Sequence, residues 1–245
     1  MAWACSRLQC AHGPLLRRTG AETASGAAGF GPQELTKTSW AVATLACRHV
    51  EPLLHAISSA ASRTIRPFAP RDIAGTAWAF ATCGVASVPL LQAISSAASA
   101  SIREFNSQDL ANTAWSVATL GFEDPPLLDA IAAASIPQMG ECPPRHLAST
   151  VWAMAVLGFR DEQLLEAIAA ASIATLPAFN AQSLANLLWA FARLLFRDLP
   201  LLSSLSAQAS AQVPSFRPQG LANTAWAFAK LDVQDAPLLF AVACG

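Results

Sequence analysis

The chain has 245 residues, 53% hydrophobic and 13% charged, with 15 Lys and Arg against 16 Asp and Glu and a formal net charge of −1. That balance excludes a globally basic nucleic-acid binder and a polybasic membrane-surface protein, so any anion-binding surface must be local. Residues 73–102 and 167–192 carry no charge or His, but Gly84, Pro89 and Pro177 interrupt them and neither keeps phase with the repeat described below, so no membrane association is expected.

Residues 1–28 hold Arg7, Arg17 and Arg18, are rich in Ala, Ser and Gly, and show no acid before Glu22. This composition suits an organelle transit peptide or a disordered N-terminal tail. Cys5 and Cys10 lie near His12, but the six cysteines (with Cys47, Cys83, Cys142 and Cys244) form no CxxC pair and recur at no common position. Free thiols in a reducing compartment are expected, with no metal site and no cofactor.

From residue 29 to 245 the chain repeats itself. Tryptophan stands at 40, 78, 115, 152, 189 and 226, in steps of 38, 37, 37, 37 and 37. A fixed period in this range marks a repeat architecture. Ten residues before each tryptophan stands Phe30, Phe68, Phe105, Cys142, Phe179 or Phe216. Eight before, Pro32, Pro70, Pro144 and Pro218 suit the first turn of a helix, with Ser107 and Ala181 as exceptions. Apolar residues at −5, −1, 0, +2 and +5 and frequent Ala at −4, +1 and +3 follow helical spacing, which predicts a first helix, A, of about 14 residues.

Gly84, Gly121 and Gly158 at +6 predict left-handed C-caps. Asp124, Asp161, Asp198 and Asp235 at +9 predict N-caps of a second helix, B, whose apolar stripe opens with paired leucines such as Leu164 and Leu165. The extra residue of the first step falls between Trp40 and Leu53, in the A–B turn. The predicted fold is all-α: a superhelical α-solenoid of about six tandem 37-residue helix-turn-helix repeats. The last repeat is incomplete at Gly245, as expected of a piece of a longer protein.

The unit resembles the octotricopeptide and heptatricopeptide repeats of organelle RNA-binding proteins. The resemblance rests on the LANTAWAFA-like first helix (residues 221–229, with LANTAWSVA at 110–118), the glycine turn and the Asp-x-Pro-Leu-Leu start of helix B. It covers residues 30–245, and the period fits the heptatricopeptide form best; nothing here matches the RAP domain that often accompanies the family. It implies RNA processing, stability or translation in a mitochondrion or plastid.

No nucleophile–base set, phosphate-cradling loop or metalloprotease motif occurs, and the four histidines are scattered, so no enzyme is expected. A binding face is expected instead. Positions −7, −3, 0 and +4 share one face of helix A. At −7 stand Gln33, Arg71, Gln108, Arg145, Gln182 and Gln219. At −3 stand Lys37, Gly75, Asn112, Ser149, Asn186 and Asn223; at +4 stand Thr44, Thr82, Thr119, Val156, Arg193 and Lys230. Amides read base edges and cations hold phosphate, so single-stranded RNA is the expected partner.

Invariance marks tryptophan for packing first, ahead of base stacking, burying on the order of 200 Å² per copy. The variable positions −3 and −6 (Glu34, Asp72, Asp109, His146, Ser183, Gly220) are the specificity candidates. Two roles stay open for Asn112, Asn186 and Asn223: a ligand contact, or an inter-repeat hydrogen-bond ladder. Thr at −2 is expected to bond back to its own helix. The alternative to an RNA reader is an armadillo- or HEAT-like protein-interaction scaffold, for which neutral Ala-rich surfaces are ordinary.

Overall fold

A computed structural model describes residues 29–44 and 51–233. The predicted tail at 1–28, the insertion-bearing turn and the second helix of the last repeat, with Asp235, lie outside the described residues. Every regular element described is helical: α1 Pro32–Thr44, α2 Glu51–Thr64, α3 Pro70–Cys83, α4 Val88–Ser101, α5 Ser107–Thr119, α6 Pro125–Ser135, α7 Pro144–Val156, α8 Glu162–Ala174, α9 Ala181–Arg193, α10 Leu199–Gln212 and α11 Pro218–Lys230. Odd-numbered helices are the A helices and even-numbered ones the B helices. No described helix is long and apolar enough to cross a membrane.

The chain divides into two compact units, residues 1–130 and 131–245, with the division inside α6. Each is a stack of helical hairpins of the α-solenoid kind. In the first, α1 packs on α3 and α3 on α5, more extensively than α2 packs on α4. In the second, α7 packs on α9 and α9 on α11, more extensively than α8 packs on α10. The cause is in the repeat: Ala77, Ala79, Ala114, Ala153 and Ala190 are fully buried and let A-helix backbones approach. The largest sealed side chains include Phe80, Phe105, Phe191 and Phe228.

Helix starts follow two devices. Where proline opens the helix, as at Pro70, Pro144 and Pro218, no side-chain cap is made, because proline removes one orphan donor and presets φ. Where it is missing, an asparagine substitutes: Asn106 accepts from Gln108 and Asp109, and Asn180 accepts from Ser183. The B helices use the predicted aspartates, with Asp124, Asp161 and Asp198 each accepting the N–H three residues on.

Gly84, Gly121 and Gly158 hold φ of 67°, 64° and 66° and close the A helices as expected. In the last two repeats Leu195 (φ 54°) and Asp232 (φ 53°) occupy the same left-handed position. The same closing bonds form: Leu195 N–H donates to Ala192 O and Phe196 N–H to Phe191 O. The sequence reading did not anticipate the short 3-10 turns after the B helices, Ile102–Glu104, Ile136–Glu141, Leu176–Ala178 and Val213–Ser215. They swing the chain so that Phe105, Cys142 and Phe179 are buried at the next hairpin's start.

Candidate nucleic-acid interface

The four predicted rows occupy one accessible face of the A helices in each unit. All six residues at −7 are exposed: Gln33, Arg71 and Gln108 in the first unit, Arg145, Gln182 and Gln219 in the second. At −3, Lys37 is exposed and Gly75, Asn112, Ser149, Asn186 and Asn223 are partly buried. At +4, Thr44, Thr82, Thr119, Arg193 and Lys230 are exposed and Val156 is partly buried.

Charge on this face is one-signed. Its 24 positions include Lys37, Arg71, Arg145, Arg193 and Lys230 and no carboxylate, within a chain whose acids outnumber its bases 16 to 15. Lys37, Arg193 and Lys230 make no hydrogen bond or ion pair among the described residues. Arg193 and Lys230 also sit in the last turn of their helices, where the macrodipole favours a cation; that accounts for the charge without occupying the head group.

Of the three carboxylates at −6 nearest this face, Glu34 and Asp109 are turned to other work, and the half-buried Asp72 carboxylate makes no hydrogen bond or ion pair among the described residues. Glu34 accepts the N–H of Gly31 at 2.6 Å, and Asp109 accepts that of Asn106 at 3.4 Å, each tying down its own helix start. Asp109 is buried, and burial pushes its carboxyl above the usual value, against the opposing pull of the Asn106 N–H and of Arg71. His146 is buried too. Burial and then the neighbouring Arg145 push its imidazole down, so it stays neutral and accepts Arg145 Nε–H at its own Nε2, 3.0 Å away. That bond steers the exposed Arg145 side chain.

Position −6 is turned largely inward: Asp109, His146 and Ser183 are buried, Asp72 and Gly220 partly so, and Glu34 is exposed. One residue on from −7 is about 100° further round a helix of 3.6 residues per turn, which turns −6 away from the exposed −7 row. Gly220 and Gly75 have packing reasons: a Cβ on Gly220 would stand 3.1 Å from Phe216, and one on Gly75 3.0 Å from the Thr36 methyl. The asparagines form no ladder. The side-chain amides of Asn112, Asn186 and Asn223 have no hydrogen-bond partner among the described residues. Thr113 and Thr224 bond back to their own helices as expected, at Asp109 O and Gly220 O. Thr76 instead meets Thr36 of the preceding repeat at 3.1 Å.

Tryptophan sits at the edge of the packing. Trp40, Trp78, Trp115, Trp152 and Trp189 are partly buried, and Trp226 is 42% exposed. In the second unit the rings of Trp152 and Trp189 lie 6.5 Å apart, tilted by 35°.

Two sets of inter-repeat bonds escaped the sequence reading. Ser58 meets Ser87 at 2.7 Å and Ser95 donates to Asp124 at 2.5 Å, each pair joining a B helix to the cap of the next. Arg160 donates to Leu194 O and Arg197 to Asp232 O, closing the carbonyl end of the following A helix. The recurrence of Arg at 160 and 197, one period apart, was the available signal.

A family model described as RNA-editing substrate-binding complex 6 protein matches residues 23–236. No curated protein matches the chain. The chain belongs to the RNA-editing substrate-binding complex 6 protein family.

Proposed function

We propose that this member of an RNA-editing substrate-binding family is a modular single-stranded RNA-binding protein. It would act in RNA processing, stability or translation in a mitochondrion or plastid, without a catalytic step of its own. The observation that carries the reading is the A-helix face, with its five cations, exposed glutamines and unpartnered asparagines and no carboxylate. Lys37, Arg193 and Lys230, without a partner among the described residues, take up phosphates, while amides on the same face hydrogen-bond the edges of unpaired bases. The family's description and the resemblance to octotricopeptide and heptatricopeptide repeats both support an RNA role.

A protein-scaffold role is the second reading, favoured by one observation. Leu195 and Leu199 are each 56% exposed beside the A–B turn of the fifth repeat, and Leu195 holds a backbone conformation that suits glycine. The test is binding of the full chain to a labelled random single-stranded RNA pool across a salt series. Micromolar or tighter binding that weakens with salt and enriches particular sequences supports the RNA reader. No binding at low salt by a folded chain supports the scaffold.

A further inference from the structure

We propose that in the second unit Trp152, Trp189 and Trp226 are stacking platforms for successive RNA bases, one per repeat, and that Asn186 and Asn223 read the same base at adjacent positions. This rests on the RNA-binding reading and names what that face does to each nucleotide.

The sealed aromatic positions of the second unit are filled by Phe179, Phe191 and Phe228, and the close approach of its A helices is made by Ala153 and Ala190. Tryptophan at the next position over keeps part of its ring in solvent in every described repeat, most of all at Trp226. A partly exposed indole presents a flat apolar face, and every base has a π-face to lay against it. Trp152 and Trp189, 6.5 Å apart and tilted, lie within aromatic contact range of each other and together make one apolar platform across two repeats.

The groups flanking each ring supply the rest of a nucleotide site. On a helix, −3 and +4 lie on either side of position 0. Around Trp189 these are Asn186, with a free amide, and Arg193, with a free guanidinium; around Trp226 they are Asn223 and Lys230, equally free among the described residues. An amide offers two donors and one acceptor, enough to tell base edges apart. The cation one turn away can take the phosphate. Around Trp152 the flanking residues are Ser149 and Val156, which lack both amide and cation. Two like sites beside one plain site predict an RNA with one base repeated at two neighbouring positions and a neighbour that is stacked but not read.

The test titrates the full chain with 12-mer homopolymers of each ribonucleotide and with a base-free ribose-phosphate 12-mer, following anisotropy and tryptophan fluorescence at fixed salt. One homopolymer is expected to bind best with quenching, and the base-free strand at least about tenfold more weakly. Trp226→Leu and Trp189→Leu should weaken the preferred homopolymer roughly five- to a hundredfold without changing base-free binding, and Trp189→Phe should retain most affinity. Asn186→Ala with Asn223→Ala should erase the preference among homopolymers. Equal binding of base-free and base-bearing strands overturns the stacking role while leaving the RNA reading intact. So does unchanged affinity in folded Trp→Leu proteins; Trp226, the most exposed ring, supplies that result should Trp189→Leu fail to fold. No binding of any strand by the folded chain overturns both.

Discussion

The A-helix faces show how one residue type serves different ends at different offsets. Arg145 is exposed at −7 but held by a buried neutral His146, whereas Arg193 at +4 carries no partner among the described residues. For RNA, Arg193→Ala is expected to weaken all sequences alike and lower the salt slope by about 1, while Asn186→Ala relaxes preference at one nucleotide; filter binding against a sequence panel across salt separates the two. His146 adds a pH effect. Its pKa is depressed in the fold, so the unfolded chain takes up the proton first, and stability present above the ordinary value of 6.5 is lost as pH falls below it. Thermal midpoints at pH 7.5 and 5.5 should fall more in the native protein than in His146→Gln; equal falls would remove His146 from the account. The exposure of −7 and of most of +4 was legible because it follows from helix geometry. How dry the surroundings of tryptophan are was not legible, because sixfold identity marks a shared environment without saying whether that environment is dry.

At the scale of the element, caps and turns were the most legible feature, since each is set by local chemistry. The left-handed residue closing each A helix gives a paired prediction. Gly121→Ala at φ 64° should destabilise the fold by about 1 kcal/mol or more, because a Cβ opposes that conformation. Leu195→Gly at φ 54° should stabilise it by about 1 kcal/mol, read as a raised denaturation midpoint. Loss of stability in Leu195→Gly would mean that the leucine side chain contributes packing that outweighs its backbone strain. Asn180→Ala, at the helix that lacks an opening proline, should cost about 1 kcal/mol. The 3-10 turns and the Ser95–Asp124 and Arg160–Leu194 bonds were not legible, because they depend on which hairpin edges meet and not on any one repeat.

At the scale of the molecule, the chain places near-neutral overall charge beside a one-signed face repeated in both units. The period alone was enough to predict stacked hairpins, because a unit of about 37 residues cannot bury its apolar face without a neighbour. Function was less legible, since charge per chain hides charge per face: Glu34 and Asp109 are committed to helix starts, and Asp72 stands half-buried one position off the cationic rows. The most direct measurement is the salt dependence of RNA affinity for the full chain against Arg71→Ala, Arg145→Ala, Arg193→Ala and Lys230→Ala combined. The account predicts salt-sensitive binding by the native protein and a log–log slope lower by about 3 in the variant, from four lost single-strand phosphate contacts. An unchanged slope, or no RNA binding by the folded native chain, would contradict it.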